Sequence, residues 1–324
     1  MNKSTRNLLI IFVLLAVIVF VFFKGKDRIT TQNVEEKLFK ADSSKIDKIE
    51  IVKLHESITL EKKSGVWEVT KPVVYPADTN SICPILGNLQ NFKIENIIST
   101  NPEKFNTYLD SVNQTKVTVF QEGKELGTFE LGKFAISYMN SYVRKPNEDR
   151  ILLASDLNQS LFVKPLKDFR YKLIFSLPKL TINRIDFKST DSTKVDFSAV
   201  KDSVGKWYIG PDSIPQNNIE GYLNLMAAFT TDDFVDSAVT TFPTPTYSIT
   251  VHMTGSQPIT INLYKETNRT PVTYMVQVSN NKQLFRITEG MVPNTFRKRT
   301  DLIPENKPPV TKTDDSKTKD KKKK

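Results

Sequence analysis

The chain has 324 residues, 39% of them hydrophobic, with 11 glycines, which suits two packed domains better than a disordered polymer. Its net charge of +10 sits at the ends: residues 1–28 carry +4 and residues 305–324 another +4, leaving +2 for the body and no basic nucleic-acid face on the folded part. The single cysteine, Cys83, excludes an intrachain disulfide and a cysteine-rich metal site.

Leu8–Phe23 is an unbroken apolar run of sixteen residues. At a rise of 1.5 Å per residue it spans roughly 24 Å, short of a hydrocarbon core of about 30 Å unless its flanks reach the interface. Arg6 and Lys24 have stems long enough to do so. A cleaved signal peptide needs small residues before its cut, whereas Phe22-Phe23 leads straight into Lys24-Gly25-Lys26, and no cysteine stands nearby to carry a lipid. The run therefore reads as an uncleaved anchor with one pass through the inner (cytoplasmic) membrane, in preference to a cleaved signal or a buried helix. Basic residues are more numerous after the run than before it, which taken alone favours a cytoplasmic C-terminus. Long domains translocate largely regardless of charge, however, so the reading is N-terminus in and folded domains outside.

Residues 29–45 form a polar linker. Ile46–Ile51 alternates apolar with polar, as does Ile58–Glu61, and after the turn residues Ser64-Gly65 comes Val66–Val69; together they predict an antiparallel meander. Pro72 and Pro76 stop that sheet and Asp78 caps a helix. In the helix Ile82, Leu86, Leu89 and Phe92 make one face. Cys83, in its first turn, reads as a small buried side chain rather than a reactive thiol. Further strands are predicted around Val117 and Val119, Phe129 and Leu131, Tyr142 and Ile151–Leu153, with a capped helix from Asp156.

The same order then returns. Ile182–Phe187 repeats the first strand, and Gly205–Ile209 repeats Gly65–Val69 around the only two tryptophans, Trp67 and Trp207. Pro211 and Pro215 take the places of Pro72 and Pro76. Ile219, Leu223, Met226 and Phe229 repeat the helix face at a shift of 137, and Ile249, Val251, Ile261 and Leu263 repeat the paired strands at a shift of 132. Phe296–Arg299 echoes the closing run Phe169–Lys172. Shifts that change between blocks are what loop insertions produce. The expected fold is α+β: residues 46–176 and 177–303 form two similar, mostly antiparallel sheet-plus-helix units in tandem after one N-terminal transmembrane helix (residues 1–28, stub and anchor). Residues 304–324 read as a disordered Lys-rich tail.

This order of Gly-x-Trp strand, Pro-flanked linker, amphipathic helix, strands and terminal Arg/Lys run resembles an uncharacterised bacterial family of membrane-anchored tandem-repeat proteins. The resemblance covers nearly all of residues 46–303. Members are similar to proteins encoded beside ABC-type export and gliding-motility components, which implies an accessory role at the envelope and carries over no active-site residue.

Chemistry is sparse. His55 and His252 lie in strand-like stretches without ligand spacing, which favours solvated or core histidines over catalytic ones. Gly132-Lys133 is followed by Phe134 and so lacks the hydroxyl of a phosphate loop. Ser198 and Lys201 match a Ser-x-x-Lys spacing, but a strand places residues three apart on opposite faces. Asp232, Asp233 and Asp236 lack the order of a calcium loop and read as a solvated connection. Tyr138, Tyr142, Tyr274 and Phe285 read as packing rather than a ligand platform, and the two tryptophans as structural. Lys321–Lys324 reads as a solvated end rather than a lipid or nucleic-acid contact. The expectation is therefore an extracytoplasmic accessory or binding protein with no catalytic, cofactor-binding or metal residues, associated with ABC-type transporter subunits or an envelope polymer, and with no nucleic acid. The alternatives are an envelope hydrolase or transferase whose site assembles only on folding, and a cytoplasmic domain whose basic tail binds nucleic acid.

Overall fold

The computed structural model describes residues 3–24, 37–109, 114–136, 139–191 and 196–304. The chain divides into two compact units, Met1–Tyr171 and Lys172–Lys324. Helix α1 spans Lys3–Lys24, and its side chains from Ile11 to Phe20 are exposed on every side. Among residues whose side chains are described, no helix is long and apolar enough to cross a membrane. Residues 29–36 of the linker, Tyr138, and all of the Lys-rich tail after Pro304 lie outside the described residues.

The first unit contains β1 (Ile46–Val52), β2 (Ser57–Lys63), β3 (Val66–Lys71), β4 (Tyr75–Pro76), helix α2 (Thr79–Asn91), β5 (Lys93–Ser99), the short α3 (Phe105–Tyr108), β6 (Thr115–Gln121), β7 (Lys124–Phe134), β8 (Ser141–Arg144) and β9 (Ile151–Ser155). They form one sheet in the order β4-β3-β2-β1-β6-β7-β8-β9-β5, antiparallel throughout. The second unit opens with β10 (Leu173–Phe175), followed by β11 (Ile182–Ser189), β12 (Phe197–Lys201), β13 (Trp207–Ile209), β14 (Asp212–Ser213), α4 (Gln216–Ala227), β15 (Phe229–Thr230), β16 (Asp233–Val235), β17 (Tyr247–Met253), β18 (Ile259–Glu266), β19 (Thr273–Val278), β20 (Asn281–Thr288), α5 (Val292–Thr295) and α6 (Arg299–Leu302). Its main sheet runs β14-β13-β12-β11-β17-β18-β19-β20-β16, the same order strand for strand, and β10 pairs separately with β15.

Each central strand carries an irregularity at the same place. In β1 the register to β6 shifts between Ile46 and Lys48, and in β11 the register to β17 shifts between Ile182 and Arg184. The extra residue lets Ile46, Ile49 and Ile51 all face the core, as Ile182, Ile185 and Phe187 do. Strict alternation, the expectation for 46–51, would have turned Ile46 outward.

Hairpin chemistry explains the turns beside these strands. Ser64-Gly65 and Glu122-Gly123 have positive φ at both positions, the geometry that matches strand twist in a two-residue hairpin. After β3 the units differ. Five residues, 70–74, separate the pair Val69 and Tyr75, whereas two, 210–211, separate Ile209 and Asp212. That three-residue deletion is why the tryptophans stand 140 apart and the helix faces 137. It also corrects the proline correspondence: Pro76 lies within edge strand β4, where its missing N–H costs no ladder bond, and its counterpart by pairing is Ser213.

Helix α2 lays Ile82, Ile85 and Leu89 on the sheet, and Phe92, just past its end, on Phe129 at 5.9 Å between ring centroids. Leu86 lies at the margin of that face. Cys83, expected inside, is exposed because it falls about 100° round the helix from Ile82. Helix α4 packs Tyr222 on Phe187 of β11 at 5.7 Å, and Phe229 belongs to β15 beyond the helix end. In both units the tryptophan carbonyl fixes the approach to the helix: Trp67 O accepts from Ala77 N at 3.0 Å and Trp207 O from Ile214 N at 2.8 Å.

The closing segments dock on these helices. Asp78 N donates to Phe169 O at 2.8 Å, and the Tyr222 hydroxyl donates to Thr295 O at 2.6 Å. Arg170, 1% exposed, lays its guanidinium on Tyr75, and Arg297 lies over Tyr222. The helix expected from Asp156 is absent. Asp156 takes a left-handed conformation that breaks the chain, and only a 3-10 turn follows, capped by Asn158.

The opposite sheet face is crossed by the segment after the helix-following strand. In the first unit Phe105 receives Arg144 at 4.6 Å and Tyr108 meets Tyr142 edge-on at 4.9 Å. In the second, Val239 joins Val235, Tyr264 and Met275, and Phe242 lies 5.3 Å from Tyr264. Gly132 sits under the first crossing, where a Cβ would come within 2.6 Å of Tyr108 O and 2.8 Å of Tyr142 O. Lys133 beside it donates from Nζ to Asn106 O at 2.8 Å and Thr107 O at 3.1 Å, so the Gly132-Lys133 pair serves this crossing.

Two substitutions test this description by urea unfolding. Gly132→Ala is expected to cost about 1–3 kcal/mol, the range for overpacking against backbone that cannot yield. Asp78→Ala should cost about 1 kcal/mol, because Asp78 Oδ1 accepts from Asn80 N at 3.0 Å. Pro215→Ala should not lower stability through a lost cap, since Pro215 has no side-chain cap bond to lose.

Candidate functional site

The bulge that sets the core also shapes a recess at the same corner of each sheet. In the first unit a cleft of about 230 Å³ is lined by Asp47, Lys48, Glu61, Lys62, Phe120 and Gly123. In the second a cleft of about 450 Å³ lies between residues 180–183, residues 201–205 and Thr254. Strand pairing makes these corners equivalent. Lys62 pairs with Trp67 as Lys201 does with Trp207, and Asp47 and Asn183 are the two bulge residues.

Each bulge residue fastens the hairpin above it. Asp47 Oδ2 accepts from Gly123 N at 2.5 Å, and Asn183 Nδ2 donates to Thr254 Oγ1 at 3.3 Å. Asp47 Oδ1 is buried without a hydrogen-bond partner among the described residues. Lys48 bonds Glu50 at 2.9 Å and sits 3.6 Å from the centre of the Phe120 ring. The chemistry offered is mixed charge, amide, hydroxyl and one aromatic edge, which suits binding of a polar ligand.

Beside the second cleft the outward face of the sheet gathers the residues that come closest to a reactive set. Arg184 stands opposite His252 across β11 and β17, and Asp186 opposite Ser198 across β11 and β12. Asp186 Oδ1 accepts from Ser198 Oγ at 2.6 Å and Arg184 Nε at 2.8 Å, and Asp186 Oδ2 lies 2.8 Å from His252 Nε2. Burial raises the Asp186 carboxyl, but the bonds from Ser198, Arg184 and His252 outweigh it and hold it below its ordinary value. A nucleophilic triad needs the imidazole between hydroxyl and carboxylate. Here the carboxylate stands between the other two, and a carboxylate stabilised in its charged form is a weak base for a hydroxyl proton.

The remaining sequence candidates are placed as follows. Ser198 points to Asp186 and not to Lys201, as strand alternation requires. His55 is an exposed loop residue between β1 and β2, not a strand residue. Asp232, Asp233 and Asp236 are all exposed, as expected of solvated carboxylates, but Asp233 lies on strand β16 opposite Arg286 of β20 and bonds Arg286 Nη1 at 3.0 Å. Arg286 also holds Glu266 through Nε at 2.7 Å and Nη2 at 3.3 Å. Burial raises the Glu266 carboxyl, but the bonds from Arg286 and Thr273 outweigh it and leave it below its ordinary value. Among the described residues no group of histidine, cysteine and carboxylate side chains is arranged to hold a metal. Tyr274 stacks on Tyr247 at 5.9 Å, and Phe285 lies 5.7 Å from Phe234; both are buried. Tyr142 is half-buried under Tyr108. Sequence reasoning missed the two corner clefts and Asp186 itself. The spacing of apolar residues at 46, 49 and 51, repeated at 182, 185 and 187, was the available sign of the bulge that builds them.

A family model described as "Domain of unknown function (DUF4340)" matches residues 67–247, over half of the chain. No curated protein and no solved structure matches it.

Acid unfolding tests the carboxylates of the second unit. Asp186 and Glu266 are depressed in the folded chain, so the stability they confer is present above the ordinary carboxylate range and lost as pH falls through their folded values. Trp207 fluorescence in a Trp67→Phe background should show urea midpoints falling with acidification. Asp186→Asn should flatten that dependence.

Proposed function

This chain belongs to the family of domains of unknown function termed DUF4340, and we propose that it works as a membrane-anchored extracytoplasmic accessory or binding protein without catalysis of its own. The observation that carries the proposal is the helix from Lys3 to Lys24, whose residues Ile11–Phe20 are apolar and exposed all round. A helix apolar on every side is stable only where lipid or protein covers it. Its apolar run, Leu8–Phe23, spans roughly 24 Å, so in this reading Arg6 and Lys24 at its two ends reach out to the interfaces of a hydrocarbon core of about 30 Å. The N-terminus then lies in the cytoplasm, and both sheet units stand outside the inner membrane.

Two units with one strand order offer two like corners to a partner, a doubled surface of the kind a transporter subunit or a repeating envelope polymer engages. The ABC-type transporter association rests on the resemblance given above. An envelope hydrolase is the second reading, and the only observation favouring it is the Ser198, Asp186 and His252 set. The order of those groups weighs against it, and Ser198→Ala would leave an assayed hydrolase activity unchanged if the set is structural.

Pull-down of the full chain in mild detergent, with α1 intact, should recover membrane transporter subunits. Recovery of none, or a reporter fused after Lys324 that is active only in the cytoplasm, would defeat the proposal.

A further inference from the structure

At the end of the sheet where β6 begins, the two units pack their cores differently. Thr115 pairs with Leu131 as Tyr247 does with Leu263, and Ser141 pairs with Ala154 as Tyr274 does with Ile287. Thr115, Ser141 and both tyrosines are buried. In the second unit rings fill the space: Tyr247 stacks on Tyr274 at 5.9 Å and on Phe296 at 4.4 Å between centroids. The first unit has a threonine and a serine at the two tyrosine places, and so lacks two rings. Ser141 makes good one loss by donating from Oγ to Leu157 O at 2.9 Å, which holds that backbone against the strand. Beside Thr115 the loss stays open, as a pocket of about 270 Å³ whose lining includes Leu131, Lys133, Gln159 and Val163.

The pocket brings a buried amide to this opening. Gln159 is 8% exposed, yet its side chain makes no hydrogen bond among the described residues. Its carbonyl accepts from Phe162 N at 2.9 Å and Val163 N at 3.3 Å, which fixes Gln159 and the half-exposed Val163 in one turn. A buried amide without a partner is costly, and walls such as Leu131 and Val163 give a water too few partners to settle it. Among the described residues of the lining only Lys133 is charged, and its ammonium is committed to Asn106 O and Thr107 O. An anion therefore finds no free charge here. What fits is neutral and flat, with an apolar body and one hydroxyl able to donate to the amide or accept from it. The volume lies just under the usual small-molecule range of about 300–1,000 Å³, which limits the occupant to about one ring.

We propose that this pocket of the first unit binds a neutral para-substituted phenol, the group that the second unit supplies there from its own chain as Tyr247. The ring takes the place beside Thr115 and Leu131, and the hydroxyl pairs with the Gln159 amide. None of this depends on where α1 lies, so its failure would leave the anchored reading standing. The test follows 4-fluorophenol by fluorine NMR with the full chain in mild detergent, every variant being compared at one detergent concentration. Saturable line broadening is expected with the unaltered chain, and fluorobenzene should bind roughly fivefold more weakly for want of the hydrogen bond. Gln159→Leu should remove that preference. Thr115→Tyr, which installs the second unit's residue, should abolish saturable binding. If that variant fails to fold, Val163→Phe at a half-exposed position blocks the pocket instead. Displacement by p-cresol alone identifies a free phenol as the ligand, and displacement by N-acetyl-L-tyrosinamide as well identifies a tyrosine presented by another chain. The proposal is overturned by the absence of saturable binding to the unaltered chain, by binding that survives in a folded blocked variant, or by a phenol preference that persists in Gln159→Leu.

Discussion

One inserted residue near the start of the central strand governs how each unit is built. Without it, Ile46 and Ile49, three apart, would face opposite sides of the sheet, and one would leave the core. With it, the strand keeps an unbroken apolar side under the helix and turns a polar residue, Asp47 or Asn183, toward the neighbouring hairpin. Core registration and the corner cleft are therefore one event. The same displacement brings Lys48 opposite Phe120 and Arg184 opposite His252, so the polar composition of the outward face follows from it too.

That outward face shows how charge is managed on a sheet that is covered on both sides. The crossing segments deliver aromatic rings, and the strands beneath supply paired ions rather than single ones. Arg144 holds Glu130, and Arg286 holds Glu266 and Asp233. Glu266, half-buried and held by Arg286 and Thr273, is stabilised in its ionised form and anchored in place. Such groups define register and resist slippage, and they make poor general bases.

Much of this architecture was legible in the sequence, because the signals were repeated at consistent offsets. The tryptophan hairpins, the helix faces at Ile82 and Ile219, and the strand pairs at Val117 and Ile249 each appear twice in the same order, and each falls on the element expected. What was illegible depended on pairing across distance. The segment Lys93–Ser99 forms an edge strand only because β9 arrives to pair with it, and nothing local marks it. Asp233 looks like a loop acid until Arg286, 53 residues on, is brought opposite. Asp186 reads as an ordinary strand residue until Ser198 and His252 arrive from the two neighbouring strands to join Arg184 of its own. The Asp156 region failed for a local reason, since a capping residue was inferred where the backbone turns left-handed.

The strand order bears on how the chain emerges during synthesis. In each unit the central strand gains one neighbour at once from the adjoining hairpin, but its other flank waits for β6 or β17, which follow only after the helix and edge strand have been made. Until then an apolar strand bearing Ile49 and Ile51, and later Ile185 and Phe187, has an open ladder on one side. Late closure of this kind is slow and invites mispairing with any other open ladder. With two such units of like topology in tandem, each nascent half is a decoy for the other. Completing the first half before the second emerges is the simplest safeguard, which gives the direction of synthesis an active part in producing the correct fold.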